Sequence, residues 1–513
     1  MYDPVRLEVF RNLFSSVAEE MGMVLTRCAF SPNIKERRDL SCALFDEKGE
    51  LVAQAAHIPV HLGSMPFAVK SALSRFDFEP GDMVVFNDPY LGGTHLPDVT
   101  VIAPVFWEGK LCFFVANRAH HADIGGMSPG SMPLSENIYQ EGLIIPPVKL
   151  VKRGKLDEEI FDFILSNVRV PEEREGDFSA QIGANRRGIL RLTEVIERYG
   201  IDAVRDYAAF LQDYAEKSAR QFIKRMPAGE YYFEDFLDND GLTEKAVKIA
   251  VRVKVEDGHL VFDFSPSDDE VEGPLNAVRT ITISCVLYVL KCILPDYVPA
   301  NAGIFRCVDV VTRRGSVVDA RKPKAVSAGN VETSQRIVDV CLGALSFALD
   351  FVPAASQGTM NNVCIGGVES PFVYYETIGG GMGASRYGDG ESAIHSHMTN
   401  TMNTPVEALE FAYPFRVVRY EVRRGSGGGG RRKGGDGIVR EYLFLEDAEV
   451  TVVSERRRFA PYGLFGGSPG ARGLNLLVRD GKEEVLPSKC RVKVKRGDRL
   501  RIETPGGGGY GAE

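Results

Sequence analysis

Apolar residues in the first thirty positions recur at helical spacing. Val5, Val9, Leu13, Val17, Met21 and Val24 fall near i, i+3 and i+4 steps, which predicts one helix over residues 3–29. Asp3 is placed to cap it and Pro4 to occupy its first turn. The next segment, SPNIKERRDLSCALFDEKGELVAQA, sets β-like runs on either side of an acidic-Lys-Gly turn, the pattern of a hairpin. Between 82 and 118 the runs MVVFN, VTVIAPVFW and LCFFVAN predict three strands. They place His95 and Asp98 in the loop between the first two, and His120 and His121 just past the third. Residues 175–226 read as helical, ending near Pro227-Ala228-Gly229.

The texture then changes. VKIAVRVKVEDGHLVFDF (247–264) alternates apolar and polar residues around Asp257-Gly258, a strong hairpin signal. Residues 276–294 and 333–351 read as helices, and 438–504 as antiparallel strands with turns such as Arg479-Asp480-Gly481. No fixed-period repeat is visible. The expected class is α+β: a multidomain mixed α/β protein with antiparallel sheets and a β-rich C-terminal part. The changes in texture divide it into residues 1–227, a hairpin and helix region over 228–330, and a glycine-rich, β-rich region over 331–513.

Composition narrows the function. At 513 residues, 44% hydrophobic and 26% charged, the chain has the balance of a soluble globular protein. A net charge of −9 argues against a nucleic-acid partner, and the basic tracts Arg416–Arg424 and Arg431–Lys433 are short. The opening MYDPVRLEVF lacks the basic and apolar regions of a secretory signal. No apolar run reaches membrane-spanning length, the longest, near Ile281–Leu294, being broken by Lys291. Nine scattered cysteines without a CxxC pair suit a reducing, cytoplasmic compartment. Cys28 on the first helix reads as a small buried hydrophobe. Much of the excess among the 53 glycines clusters in Gly379–Gly383, Gly425–Gly437 and Gly506–Gly509, which signals close backbone approach.

Candidate chemistry concentrates in NDPYLGGTHLPDVT (87–100) and NRAHHADIGGMSPG (117–130). Three of the chain's 8 histidines lie there, each near an aspartate. Imidazole and carboxylate are ligands of zinc, manganese or iron. His95 and Asp98, three apart in a Gly/Pro-rich loop, can turn toward one point, with His120 or His121 arriving from the neighbouring strand. Two histidines and one carboxylate leave coordination positions open. On spacing alone, plain hydrogen-bonding histidines fit as well. Asp88, Asp123, Glu136 and Glu141 are candidates for a general base or for orienting the ligands. A second polar stretch, 374–410, carries Gly380, Gly381, His395, His397 and Asn400 as a candidate substrate-binding face. His395 and His397 would share one side of a strand.

Other motifs fail on context. Gly379–Ala384 matches GxGxxA, but no apolar helix follows. There is no GxxxxGK[ST], and the GxSxG match at Gly126–Gly130 has a proline after its serine.

The strings SPNIKERRDLSCALFDEKGELVAQAAHIPVHLGSM, NDPYLGGTHLPDVTVIAPVF, NRAHHADIGGMSPGSMP, ETIGGGMGA, HMTNTMNTPVEALE and TPGGGGYG resemble the hydantoinase B/oxoprolinase family over almost the whole chain. That family includes the smaller subunit of N-methylhydantoinases, the C-terminal half of 5-oxoprolinases and the α subunits of acetone and acetophenone carboxylases. The resemblance implies ATP-dependent hydrolysis of a small cyclic amide, with no membrane partner, in a hetero-oligomer. A hydantoinase A-type subunit with an actin-like ATPase fold would handle ATP and phosphorylate the substrate oxygen, and the B-type subunit would finish the reaction at a divalent metal. The family's metal ligands map onto His95, Asp98 and His120, with His121 the alternative third ligand or a catalytic neighbour. On this expectation a metal-activated water attacks the phosphorylated amide carbon, Asp123 takes its proton, and the amides of Gly379–Gly383 hold developing negative charge. Two rival readings are a ketone carboxylase subunit with the same metal centre and a non-catalytic scaffold for the ATPase. A stand-alone amidase finds no nucleophile arrangement to support it.

Overall fold

The computed structural model describes residues 3–55, 57–61 and 63–513. Met1 and Tyr2, where the leader reading begins, lie outside the described residues. The chain is mixed α/β, 30% helix and 27% strand, as the alternation of periods anticipates. Helix α1 (Pro4–Cys28) begins where Asp3 accepts the Val5 amide and buries Leu7, Phe10, Phe14, Val17, Met21 and Leu25. Its last residue, Cys28, is exposed, which corrects the expectation of a buried thiol. A short turn of helix, α2 (Pro32–Lys35), follows.

An antiparallel seven-stranded sheet organises the first part. Its strands are β1 (Leu40–Asp46), β2 (Leu51–Gln54), β3 (Met83–Phe86), β4 (Asp98–Trp107), β5 (Lys110–His120), β6 (Val148–Lys152) and β7 (Lys155–Leu156), in the order β2-β1-β5-β4-β3-β6-β7. The expected hairpin is β1–β2, and helix α3 (Met65–Leu73) links it to β3. After α4 (Glu158–Leu165), the helices α5 (Pro171–Tyr199) and α6 (Ile201–Ile223) fill the stretch read as helical, parted at Gly200. Successive side chains of a strand face opposite ways. Val99, Val101 and Val115 therefore join α1 and α5 in the main core, while Ile102, Phe114 and Ala116 pack with α3 on the other face. The β4–β5 register sets Asp98 directly opposite His120 and Thr100 opposite Arg118.

In the middle of the chain, β8 (Gly229–Leu237), β9 (Val247–Glu256) and β10 (His259–Asp263) form an antiparallel run, the last two as the hairpin expected at Asp257-Gly258. Helices α7 (Arg279–Ile293) and α8 (Ala302–Phe305) follow, and β11 (Val308–Val311) adds to β10 in parallel. A π turn, Gly329–Thr333, leads into α9 (Ser334–Leu345).

The C-terminal part is two antiparallel sheets on one core. One contains β12 (Asn362–Gly367), β13 (Val373–Glu376) and, after helix α10 (Val406–Ala412) and strands β14 (Phe415–Arg423) and β15 (Gly437–Phe444), also β16 (Ala448–Val453) and β19 (Lys489–Val494). The other is ordered β14-β15-β20-β17-β18, with β17 (Leu474–Arg479), β18 (Lys482–Leu486) and β20 (Arg499–Glu503). Val363, Val450, Tyr442 and Ile502 meet between them. The larger core draws residues from all three segments, from Leu7 to Tyr510. Among the described residues no helix is long and apolar enough to cross a membrane.

The glycine clusters pack against one another. A Cβ on Gly381 would stand 2.0 Å from the Gly435 carbonyl oxygen, and one on Gly434 2.0 Å from that of Gly507. Only glycine permits such backbone approach.

Candidate metal centre

The loop from β3 to β4 is folded by its own residues. Asp88 accepts the Tyr90 amide at 3.0 Å and pairs with Lys322 at 2.9 Å. Gly92 then adopts φ +104° with its α-carbon against the Phe67–Ala68 backbone, where a Cβ would lie 2.6 Å from the Ala68 nitrogen. This turn delivers Thr94, His95 and Asp98, all buried. Asp98 opens β4, rather than lying in the loop, and His120 closes β5.

One ligand atom each from His95, Asp98 and His120 lies within 4.8 Å of the others. His95 Nδ1 is 3.1 Å from the Ser327 carbonyl. A carbonyl only accepts, so Nδ1 carries a proton, and in the neutral ring Nε2 keeps a lone pair. Asp98 Oδ2 accepts from the Thr94 hydroxyl and, at 3.4 Å, from Asn330 Nδ2 on the π turn, and lies 3.2 Å from His61 Nε2. The His120 ring stacks on Tyr375, centroids 4.5 Å apart and planes 8° apart, and Asn33 Nδ2 donates to the His120 carbonyl at 2.6 Å. Three buried polar atoms then remain without a hydrogen-bond partner among the described residues: His95 Nε2, His120 Nε2 and Asp98 Oδ1. Buried polar atoms are rarely left unpaired. Two imidazoles and a carboxylate whose ligand atoms come within 4.8 Å of one another are a donor set that a divalent cation satisfies.

Burial pushes the His120 pKa well below its usual value, and the neighbouring His95 adds to this. Burial opposes ionisation of Asp98, but the adjacent His95 and His61 hold it well below the usual carboxylate range. For His95, burial is outweighed by the Asp98 charge and the Ser327 carbonyl, and its pKa is raised.

Strand parity separates the two adjacent histidines. His121 points to the opposite face, where Nε2 lies 2.9 Å from Gln181 Oε1 and the ring packs on Phe178; burial lowers its pKa to about 4. Asp123 is committed elsewhere. It accepts the amides of Gly125, Gly130 and Arg169 and pairs with the Arg169 guanidinium at 3.0 Å. With its acceptor sites filled, it fastens a loop, and its expected service as a base is revised. Glu141 Oε1 accepts the Val326 and Ser327 amides at 2.9 Å, next to the carbonyl that accepts from His95.

Two residues that the sequence did not single out complete the site. His61 bridges Ser41 Oγ, at 2.9 Å from Nδ1, and Asp98, and burial lowers its pKa. Asp39, raised to about 7 by burial, lines with His61, Asp98, His120 and Asn330 a cavity of about 20 Å³, room for a single water. The only hint in the sequence was position, because both precede the histidine-rich loop in long family-like strings.

The expected substrate face is partly dismantled. His395 and His397 do not lie on a strand, and His397 has φ +56°. His395 Nε2 lies 3.2 Å from Asn403 Oδ1, and His397 Nδ1 3.3 Å from the Tyr288 hydroxyl. Asn400 borders a larger cavity, of about 470 Å³, which His61 also lines. The Gly380 amide donates to the Ile394 carbonyl at 2.8 Å and that of Gly381 to Pro505 at 3.0 Å. These amides are spent on packing and are not free to bind a ligand.

Fold and site together define a mixed α/β protein with a buried His/Asp/His cluster suited to a divalent cation. The chain belongs to the hydantoinase B/oxoprolinase family, whose model matches residues 3–513. It is 42% identical to a 5-oxoprolinase of Dictyostelium discoideum over 99% of this chain and 40% of that protein. It is 33% identical to the B-type subunit assigned to a D-/L-hydantoinase of a Pseudomonas species, over 99% of this chain and 90% of that one. The crystal structure of an ATP-dependent caprolactamase from Pseudomonas jessenii superposes with a TM-score of 0.93 at 30% identity, covering 100% of this chain and 92% of that one. The chain thus spans about two fifths of the oxoprolinase and nearly all of the hydantoinase component.

Proposed function

We propose that this chain is the metal-bearing component of an ATP-dependent cyclic-amide hydrolase, acting with a separate hydantoinase A-type ATPase subunit in the cytoplasm. The observation that carries the reading is the convergence of ligand atoms from His95, Asp98 and His120, each of which also keeps a buried polar atom unpaired, beside a water-sized cavity. The oxoprolinase, hydantoinase and caprolactamase relatives support the substrate class, and the Pseudomonas relative, one subunit of a hydantoinase, supports a partner.

His95, Asp98 and His120 would hold zinc, manganese or iron, which supplies Lewis acidity and acidifies water when bound. Ser327 and Tyr375 fix the ring planes, so little reorganisation is needed. Asp39 and His61 replace Asp123 as the side chains positioned to exchange a proton with a water in the small cavity. With the amide oxygen phosphorylated by the partner, water adds at the ring carbon and the C–N bond opens as the ring nitrogen takes a proton, which leaves an acyl phosphate; a second water then hydrolyses this to the carboxylate and phosphate. The buried site keeps bulk water from the activated amide.

The test is metal uptake and coupled turnover. The purified chain should bind one equivalent of a divalent metal. Mixed with its ATPase subunit, ATP and a lactam, it should open the ring, and His95→Ala should abolish both properties while the fold persists. A metal-free chain that supports full turnover would make it a scaffold for the ATPase.

A further inference from the structure

A fully buried guanidinium stands one rung along the sheet from the metal ligands. Side chains two apart on a strand share a face. Arg118 therefore lies beside His120 on β5, and Thr100 beside Asp98 on β4, and the register pairs Arg118 with Thr100 as it pairs His120 with Asp98. Arg118 has no exposed surface, and among the described residues no carboxylate lies within ion-pair distance of it. Burial lowers its pKa to about 10 while the Asp98 charge acts the other way, so it is charged at neutral pH. Taking such a charge out of water is costly, and an apolar side chain would fill the space at less cost. The hydrogen bonds show what the charge holds. Nε donates to Thr100 Oγ1 at 2.8 Å, Nη1 to Ser64 Oγ, and Nη2 to the Gly92 carbonyl at 3.0 Å. Ser64 Oγ in turn donates to the His61 carbonyl at 3.1 Å, so one arm of the fork reaches the turn Pro59–His61. Another arm ends on Gly92, in the turn that delivers Thr94 and His95. The Thr94 hydroxyl and the His61 ring both meet Asp98 Oδ2. Each nitrogen of Arg118 is thus spent on a different segment, and each segment carries a group that touches or supplies the ligand cluster. A planar guanidinium holds three acceptors in fixed directions, which a lysine ammonium on its flexible stem does not.

We propose that Arg118 is a positioning residue for the metal centre: its guanidinium locks the His61 turn and the His95 loop against β4, so that the ligands are set before the ion arrives. The inference rests on the metal-dependent reading and adds to it a residue outside the ligand set. Partners one step removed from a metal commonly change its affinity by about tenfold to a hundredfold, because a ligand that must first be brought into place binds more weakly than one already there.

The experiment compares the wild-type chain with Arg118→Met and Arg118→Lys. Competition against a chromophoric chelator gives the affinity for cobalt, the cobalt absorption spectrum reports the coordination geometry, and hydrogen exchange of the metal-free chain reads the two loops directly. Arg118→Met should bind cobalt about tenfold more weakly or worse, change the spectrum, and speed amide exchange at Ser64 and over residues 91–95 while β12 and β16 exchange as before. Arg118→Lys, which keeps the charge and loses the fork, should fall between. A purely structural arginine would lower the melting temperature and leave cobalt affinity and spectrum unchanged in the folded chain. Wild-type affinity in either variant, or exchange that rises evenly along the chain, would overturn the proposal. If Arg118→Met does not fold, Arg118→Lys and Ser64→Ala, which removes one anchor and leaves the charge, decide it by the same readouts. A wild-type chain that takes up no cobalt would end the metal-dependent reading, and selective exchange at Ser64 and residues 91–95 would then uphold or refute the clamp by itself.

Discussion

His120 and His121 are neighbours in sequence, are both buried, and were interchangeable as third ligand on spacing alone, so replacing each by alanine isolates the metal role. The structural losses are matched. His120→Ala removes a ring stacked on Tyr375 at 4.5 Å, and His121→Ala removes one packed on Phe178 at 4.5 Å and facing Gln181. Emptying a buried ring site costs roughly 2–4 kcal/mol, so both variants should melt earlier by similar amounts. The metal losses differ. A four-ligand zinc site contributes about 10–16 kcal/mol, or roughly 3 kcal/mol for each ligand, which is on the order of a hundredfold in Kd. His120→Ala should therefore weaken zinc or cobalt binding about a hundredfold, whereas His121→Ala should leave it within severalfold. Competition against a chromophoric chelator measures both. Equal losses, or a loss confined to His121→Ala, would refute the assignment, because β5 would then present the wrong face to the metal.

The same geometry bears on four further measurements. Metal at a hundred times its Kd should raise the unfolding free energy by about 2.7 kcal/mol, and chelator should reverse the shift in melting temperature; indifference to both would count against the site. Burial lifts Glu332 to about 8, with Glu455 nearby. A carboxyl raised in the folded state gives stability that is full below its unfolded value and is lost as pH climbs to about 8. Glu332→Gln should then gain on the parent between pH 5 and pH 8, by at most about 5 kcal/mol, and parallel denaturation curves would contradict this. Gly381→Ala forces a Cβ to 2.0 Å from the Gly435 oxygen and should destabilise the chain by several kcal/mol with no selective effect on metal affinity, as a comparison of melting and metal titration would show. ATP hydrolysis by the assembled enzyme should be indifferent to bicarbonate; dependence on it would move the chain to the ketone-carboxylase reading.

Local signals set much of the secondary structure. Asp3-Pro4, the apolar steps of α1, the Asp257-Gly258 turn and the strand triplet over 82–118 are short-range features whose physics acts between near neighbours, so they could be read from the chain. The cluster of histidines and aspartates was legible as residue types at a metal-like spacing, and the family strings sharpened it to His95, Asp98 and His120. Tertiary structure decided the rest. It took the β4–β5 register and strand parity to set His120 opposite Asp98 and turn His121 toward Phe178. Arg169, 46 positions away, takes two of the acceptor sites of Asp123. Asp39 and His61 reach the site through the β1–β5 pairing and the turn before α3. The glycine runs look like ligand loops until the packed segments show that amides such as those of Gly380, Gly381 and Gly507 are already bonded. A sequence lists which donors and acceptors exist; only the folded chain, by pairing most of them across long separations, shows which few are left over to bind something else.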